Sequence, residues 1–224
     1  MNNRNQMRGM IDRNILLILC AALAAGLGFW IAQRYFGPVT PAQPTENPLA
    51  ARMQTVRLFQ APRGLPPFRL TAINGSTITA DTLKGHWNLV FLGFTHCPDV
   101  CPTTLQDLAV AQTAWADLPA DKVPRVLFVS VDPERDTPQK AGEFAHYFSP
   151  RIDAATADLP TLEAFAKSLG MVFMKVPTSD GDYSIDHSAS VSLIDPQGRM
   201  AGLIRPPLDS KKIGADLRIL AGDY

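Results

Sequence analysis

The sequence predicts an α/β domain with a partly parallel sheet, preceded by one N-terminal membrane helix. Ile15 to Ala32 (ILLILCAALAAGLGFWIA) is an uncharged apolar run at the short end of what spans a bilayer. Trp87–Phe94 (WNLVFLGF) and Arg125–Val131 (RVLFVSV) are near-continuous apolar stretches, the make-up of strands buried on both faces. Between them Leu105, Leu108, Ala109, Gln112 and Trp115 fall on a 3.6-residue stripe, so strand, helix and strand form a right-handed parallel crossover.

The apolar run is flanked by Arg4, Arg8 and Arg13 before it and by Phe29, Trp30, Tyr35 and Phe36 at its far end. The positive-inside rule keeps the arginine end cytoplasmic and puts the rest of the chain outside. A cleaved signal peptide is the rival reading, because Ala22-Leu23-Ala24 has the small-x-small form. The run continues apolar past it, where a cleaved signal turns polar, which favours an uncleaved anchor. Cys20 follows Leu19 rather than a small residue, so it reads as a lipid-facing or packing side chain. The boundaries are a cytoplasmic N-terminus over 1–14, an anchor over 15–33, a Pro-rich linker over 34–50 and a folded domain over 51–224. Gly37–Pro48, with its four prolines, reads as an extended spacer.

With 224 residues, 46% of them hydrophobic, the chain can bury one good core besides this segment. Basic and acidic residues number 21 each; leaving out 1–36, with Arg4, Arg8, Arg13, Arg34 and Asp12, the remainder holds 17 against 20. That balance argues against a nucleic-acid partner.

Within the domain, Leu65–Leu70 and Ser76–Thr79 flank Asn74-Gly75, a strong hairpin signal. Asp81–Gly85 reads as a helical turn closed by glycine, and Pro102 opens a helix to about Leu118. Thr137–Phe148 and Pro160–Leu169 are further helices, ended by Pro150 and Gly170, and Met171–Val176 is a short strand. Ser190–Ile194 and Arg199–Ile204 surround the turn Asp195–Gly198, and Asp209 caps a last helix through Leu220. This order supports α/β with a partly parallel sheet and matches a thioredoxin-like fold with an added N-terminal hairpin, an assignment that needs the motifs below.

Cys97 and Cys101 lie where the first buried strand hands over to a helix, the sheet edge where α/β ligands sit. The free N–H groups of a helix start favour thiolate over thiol. Three intervening residues is one more than in CxxC dithiols and many zinc sites. With Pro98 favouring a loop, the pair can close to a disulfide or open around an ion, and two inert cysteines remain the bland alternative. Soft thiolates suit Cu(I), whereas Cu(II) and Zn(II) also accept imidazole. His187, in Asp186-His-Ser188 just before a strand, is the candidate for that imidazole; a lone histidine is also commonly structural. His96 ranks below it, and His86 and His146 read as surface or packing residues. Met171 and Met174 offer thioethers but read as core. Asp132, after the second buried strand, is a turn residue or an acidic group near a metal or docking surface. Asp186 or a backbone carbonyl can accept the other ring N–H of His187 and fix its tautomer.

The runs FLGFTHCPDVCPTTL, VSVDPERDTP and DHSASVSLIDPQGR resemble, in order and spacing, the Sco/SenC family of copper-binding proteins, over about Phe68 to Leu220. The resemblance implies a membrane-anchored, thioredoxin-like metallochaperone that helps assemble the binuclear copper centre of cytochrome c oxidase. Cys97, Cys101 and His187 match the family's copper ligands, for Cu(I) and Cu(II), and Cys97 with Cys101 its redox disulfide. The implied partners are the copper-bearing oxidase subunit and an upstream periplasmic copper donor. The location is the inner membrane, single-pass, with the domain periplasmic or in the mitochondrial equivalent. The alternative is a thiol–disulfide reductase that keeps the target's cysteines reduced.

Overall fold

The computed structural model describes residues 4–36, 48–179 and 181–224. The chain divides into two compact units, Met1–Thr45 and Glu46–Tyr224. In the first, one helix, α1 (Arg4–Phe36), contains a segment over Asn14–Tyr35 that is long and apolar enough to cross a membrane, with its side chains exposed. The spacer expected after it falls, up to Glu46 and Asn47, outside the described residues.

The second unit is built on an eight-stranded sheet. Its centre is β4 (Asn88–Gly93) beside β5 (Arg125–Ser130), parallel and in continuous register from Asn88↔Arg125 to Gly93↔Ser130. Every residue of β4 is buried, as its unbroken apolar run requires of a central strand. Between them runs α2 (Val100–Ala111), extended by a 3₁₀ turn over Gln112–Trp115. β9 (Val191–Ile194) and β10 (Arg199–Ile204) form the expected antiparallel hairpin, closed by Gly198 at φ 79°, and β9 pairs with β4. β2 (Leu70–Ala72) and β3 (Thr77–Ile78) are the added hairpin, turning at Gly75 with φ 77°. Helices α3 (Pro138–Phe148), α4 (Leu159–Ser168) and α5 (Ser210–Gly222) begin at Thr137, Asp158 and Asp209, whose side chains each accept a backbone N–H of the first turn. The thioredoxin-like arrangement with an added hairpin is therefore present.

Several elements differ from expectation. The first strand of the added hairpin starts only at Leu70. A long strand, β1 (Val56–Gly64), forms the sheet edge against β10, and its register shifts between Leu58 and Arg63. An edge position with such a shift tolerates Pro62, which offers no N–H. β6 (Ile152–Thr156) extends the sheet parallel to β5 and receives β2 on its far side. The expected strand at Met171 is β7 (Phe173–Pro177); it pairs with β8 (Tyr183–His187) in a two-stranded sheet of its own. His187 thus ends one strand, β8, shortly before the expected strand β9 begins at Val191. The first helix of the parallel unit starts at Val100, so Pro102 sits inside the first turn, where its missing N–H breaks no helical bond.

Candidate metal centre

The end of β4 sets the first half of the site. Gly93 leaves room there: a Cβ on it would stand 2.8 Å from Cys101 Sγ and 2.9 Å from the Phe128 ring. The chain then turns through Thr95 and His96, with the Cys97 N–H donating to the Phe94 carbonyl at 3.3 Å. Asp99 stands at the N-cap of α2 without a side-chain cap bond. Instead the Cys101 N–H donates to Cys97 Sγ at 3.4 Å, so a sulfur takes up one of the free donors of the helix start. Cys97 is half-buried and Cys101 fully buried.

His187, at the end of β8, supplies the second half. Its Nε2 lies 3.3 Å from Cys101 Sγ, and its ring stands edge-on to Phe91 and Phe94, with centroids 5.7 and 6.0 Å away. Nδ1 lies 3.2 Å from the Ser188 carbonyl, which can only accept. Nδ1 therefore carries the hydrogen and Nε2 presents its lone pair towards the sulfur. Burial lowers the pKa of His187, against the opposing pull of the Ser188 carbonyl and Asp186, and this favours the neutral, ligating imidazole. Burial also pushes the Cys101 thiol far up, overriding the expected help from the helix start. A cation bound there would displace that proton.

Cys97 Sγ, Cys101 Sγ and one ring nitrogen of His187 all lie within 4.8 Å of one another. Two thiols and a neutral imidazole are a donor set for a soft or borderline cation, Cu(I), Cu(II) or Zn(II). No other group of three His, Cys, Asp or Glu side chains converges in this way among the described residues.

The other sequence candidates are placed differently. Asp132 is wholly buried, one oxygen accepting from Tyr183 OH at 2.7 Å and the other from Arg135 Nε at 2.5 Å, and it stays outside the converging group. Asp186 is exposed and acts on His187 only through its charge; the Ser188 carbonyl orients the ring. His96 is exposed and faces Thr95 Oγ1 at 3.1 Å and Asp136 at 3.7 Å. Met171 is core, whereas Met174 is exposed. The residue that sequence reasoning passed over is Asp136. It is buried and accepts from Thr95 N–H at 2.8 Å, Thr95 Oγ1 at 2.5 Å and Ser130 Oγ at 2.6 Å, tying the loop before Cys97 to the end of β5.

The sequence profile of the SCO1/SenC family matches residues 58–222. The chain belongs to this family. Among its Sco relatives and neighbours, a Stutzerimonas stutzeri protein provisionally named as copper-binding is 35% identical over 155 residues, 68% of this chain and 74% of that one. Protein SCO1 homolog 1, mitochondrial, of Arabidopsis thaliana is 38% identical over 132 residues, 58% of this chain but only 39% of that longer protein. The solved structure of Bradyrhizobium japonicum ScoI with copper bound superimposes with a TM-score of 0.64 at 36% identity, over 70% of this chain and 99% of that one. That Sco structure shares the mixed α/β, thioredoxin-like architecture described above.

Proposed function

We propose that this Sco-family chain is a membrane-anchored copper metallochaperone, carrying copper on Cys97, Cys101 and His187 and passing it to the binuclear copper centre of cytochrome c oxidase. The observation that carries the proposal is the convergence of two sulfurs and one lone-pair nitrogen within 4.8 Å. The copper-bound Bradyrhizobium ScoI and the copper-named Stutzerimonas protein support copper as the cargo. α1 anchors the chain with its arginine-bearing end in the cytoplasm and the domain on the periplasmic side or in the mitochondrial equivalent. A periplasmic donor fills the site, and the oxidase subunit empties it through its own thiolates. Cys97, the less buried sulfur, is the one an incoming thiolate reaches first.

The same asymmetry favours a second reading, in which the domain reduces the target's cysteines. Cys97, half-exposed and accepting the Cys101 N–H, attacks the target disulfide; Cys101 then displaces the target from the mixed disulfide. The target leaves with two thiols, and the domain keeps the two-electron oxidation as a Cys97–Cys101 disulfide.

Metal analysis of the full chain, purified in detergent, reduced and offered copper, tests the first reading. Copper retained by the wild type and lost in Cys97→Ser and Cys101→Ser supports it; copper retained with both cysteines replaced overturns it.

A further inference from the structure

His187 reaches the cysteines from a strand that shares no ladder with the main sheet, since β7 and β8 form a two-stranded sheet of their own. Side chains must therefore seat β8 on the domain. Tyr183, Ile185 and His187 alternate along it and share one face. Ile185 is buried in the core, and His187 meets Phe91, Phe94 and Cys101. Tyr183, at the other end, meets a polar clamp from the loop between β5 and α3. Its hydroxyl donates to Asp132 at 2.7 Å, and the Arg135 guanidinium lies 3.8 Å from its ring centroid. Arg135 also donates from Nη1 to the Tyr183 carbonyl at 3.0 Å and from Nε to Asp132 at 2.5 Å. Its Nη2 is buried without a hydrogen-bond partner among the described residues. Its charge is met by the Asp132 carboxylate and by aromatic faces, since the guanidinium also lies 5.9 Å from the ring of Phe94, to which His187 stands edge-on. Burial and the Asp132 bond raise the Tyr183 phenol to about 12, so it stays a donor at working pH.

We propose that Arg135, gripping Tyr183 together with Asp132, is a positioning residue for His187: the clamp fixes the seat of β8 and thereby presents the third ligand to the cysteine pair. The loop that carries the clamp joins the same β5 whose partner β4 leads to the cysteines, so both halves of the site are referenced to one parallel pair. Lysine in place of Arg135 keeps the charge but loses the planar fork that bonds Asp132 and the Tyr183 carbonyl together. Leucine at position 183 keeps apolar bulk and loses both the ring face and the hydroxyl. This inference rests on copper as the cargo only for its second readout.

The test uses the full chain in detergent with ¹⁵N-labelled histidine; the four imidazoles are few enough for His187 to be assigned from the spectrum of His187→Ala. In the metal-free protein, R135K and Y183L are expected to shift or broaden the His187 ring signals while leaving those of His86 and His146 in place. With copper, both variants are expected to bind Cu(I) as the wild type does, and to bind Cu(II) about 10-fold or more weakly with an altered thiolate absorption. Adding either change to His187→Ala should produce no further loss of Cu(II). Unchanged His187 signals in both metal-free variants overturn the clamp, as does an equal loss of Cu(I) and Cu(II), or an additive loss on the His187→Ala background. A wild type that binds no copper overturns the chaperone reading instead, and the metal-free spectra still decide the clamp.

Discussion

His187 Nε2 stands 3.3 Å from Cys101 Sγ, although 86 positions separate the two residues in the chain. The contact joins the first residues of α2 to the last residue of β8, so the three donors exist as a set only in the folded domain. Metal binding at this set would therefore be linked to folding.

From that linkage, copper should stabilise the wild-type domain and fail to stabilise a variant lacking the site. At a free copper concentration 100 times the dissociation constant the gain is about 2.7 kcal/mol. Thermal unfolding of the full chain with and without Cu(I), for wild type and Cys97→Ser, checks it. Equal melting shifts in the two proteins contradict it.

Gly93→Ala should damage the site through packing alone. The added Cβ meets Cys101 Sγ at 2.8 Å and the Phe128 ring at 2.9 Å, both fully buried, so the sulfur must move or the strand must bend. Overpacking of this kind costs about 1–3 kcal/mol. Denaturant unfolding and copper titration should both weaken; a wild-type result in both rules the packing argument out.

Asp136→Asn should loosen the loop before Cys97. The carboxylate receives three donors, from the Thr95 backbone, the Thr95 hydroxyl and the Ser130 hydroxyl, and an amide brings donors of its own into that site. A loss of about 1–3 kcal/mol follows from donors left unsatisfied in a buried place. Hydrogen exchange at Thr95 should accelerate more than at the centre of β5, whereas a uniform change would mean that Asp136 is only a general stabiliser.

Oxidation should yield one Cys97–Cys101 disulfide that excludes copper, because both sulfurs are needed as thiolates. Thiol counting after mild oxidation of the full chain, with Cys20 replaced by Ser, should find none. Two thiols remaining, or copper uptake unaffected by oxidation, counts against it.

The strands that read plainly in the sequence are those whose neighbours impose a period. β4 is buried on both faces and reads as an apolar run, and the β9–β10 hairpin is bracketed by turn chemistry at Asp195–Gly198. β1 escaped because an edge strand with Pro62 and Gly64 inside it has no steady alternation. β6 escaped because Ala154 and Ala155 carry little strand signal, although both are buried. In β8 the alternation of Tyr183, Ile185 and His187 was present but disguised, since two of its three inward residues are polar-tipped. The three candidate donors, Cys97, Cys101 and His187, could be named from their flanking residues. Which aspartate of Asp132-Pro-Glu-Arg-Asp136 supports the cysteine loop depends on how the turn after β5 folds back onto Thr95, and spacing does not encode that.

The central claim, a three-donor copper site, is tested most directly by His187→Ala in the full chain, followed by Cu(II)–thiolate absorption, the paramagnetic signal and Cu(I) stoichiometry. Two thiolates hold Cu(I) unaided, whereas Cu(II) gains from the imidazole whose lone pair faces Cys101. The expected result is a weakened or altered Cu(II) spectrum with Cu(I) still bound. An unchanged Cu(II) spectrum and affinity would contradict the three-donor site and put the thiol–disulfide reductase reading first.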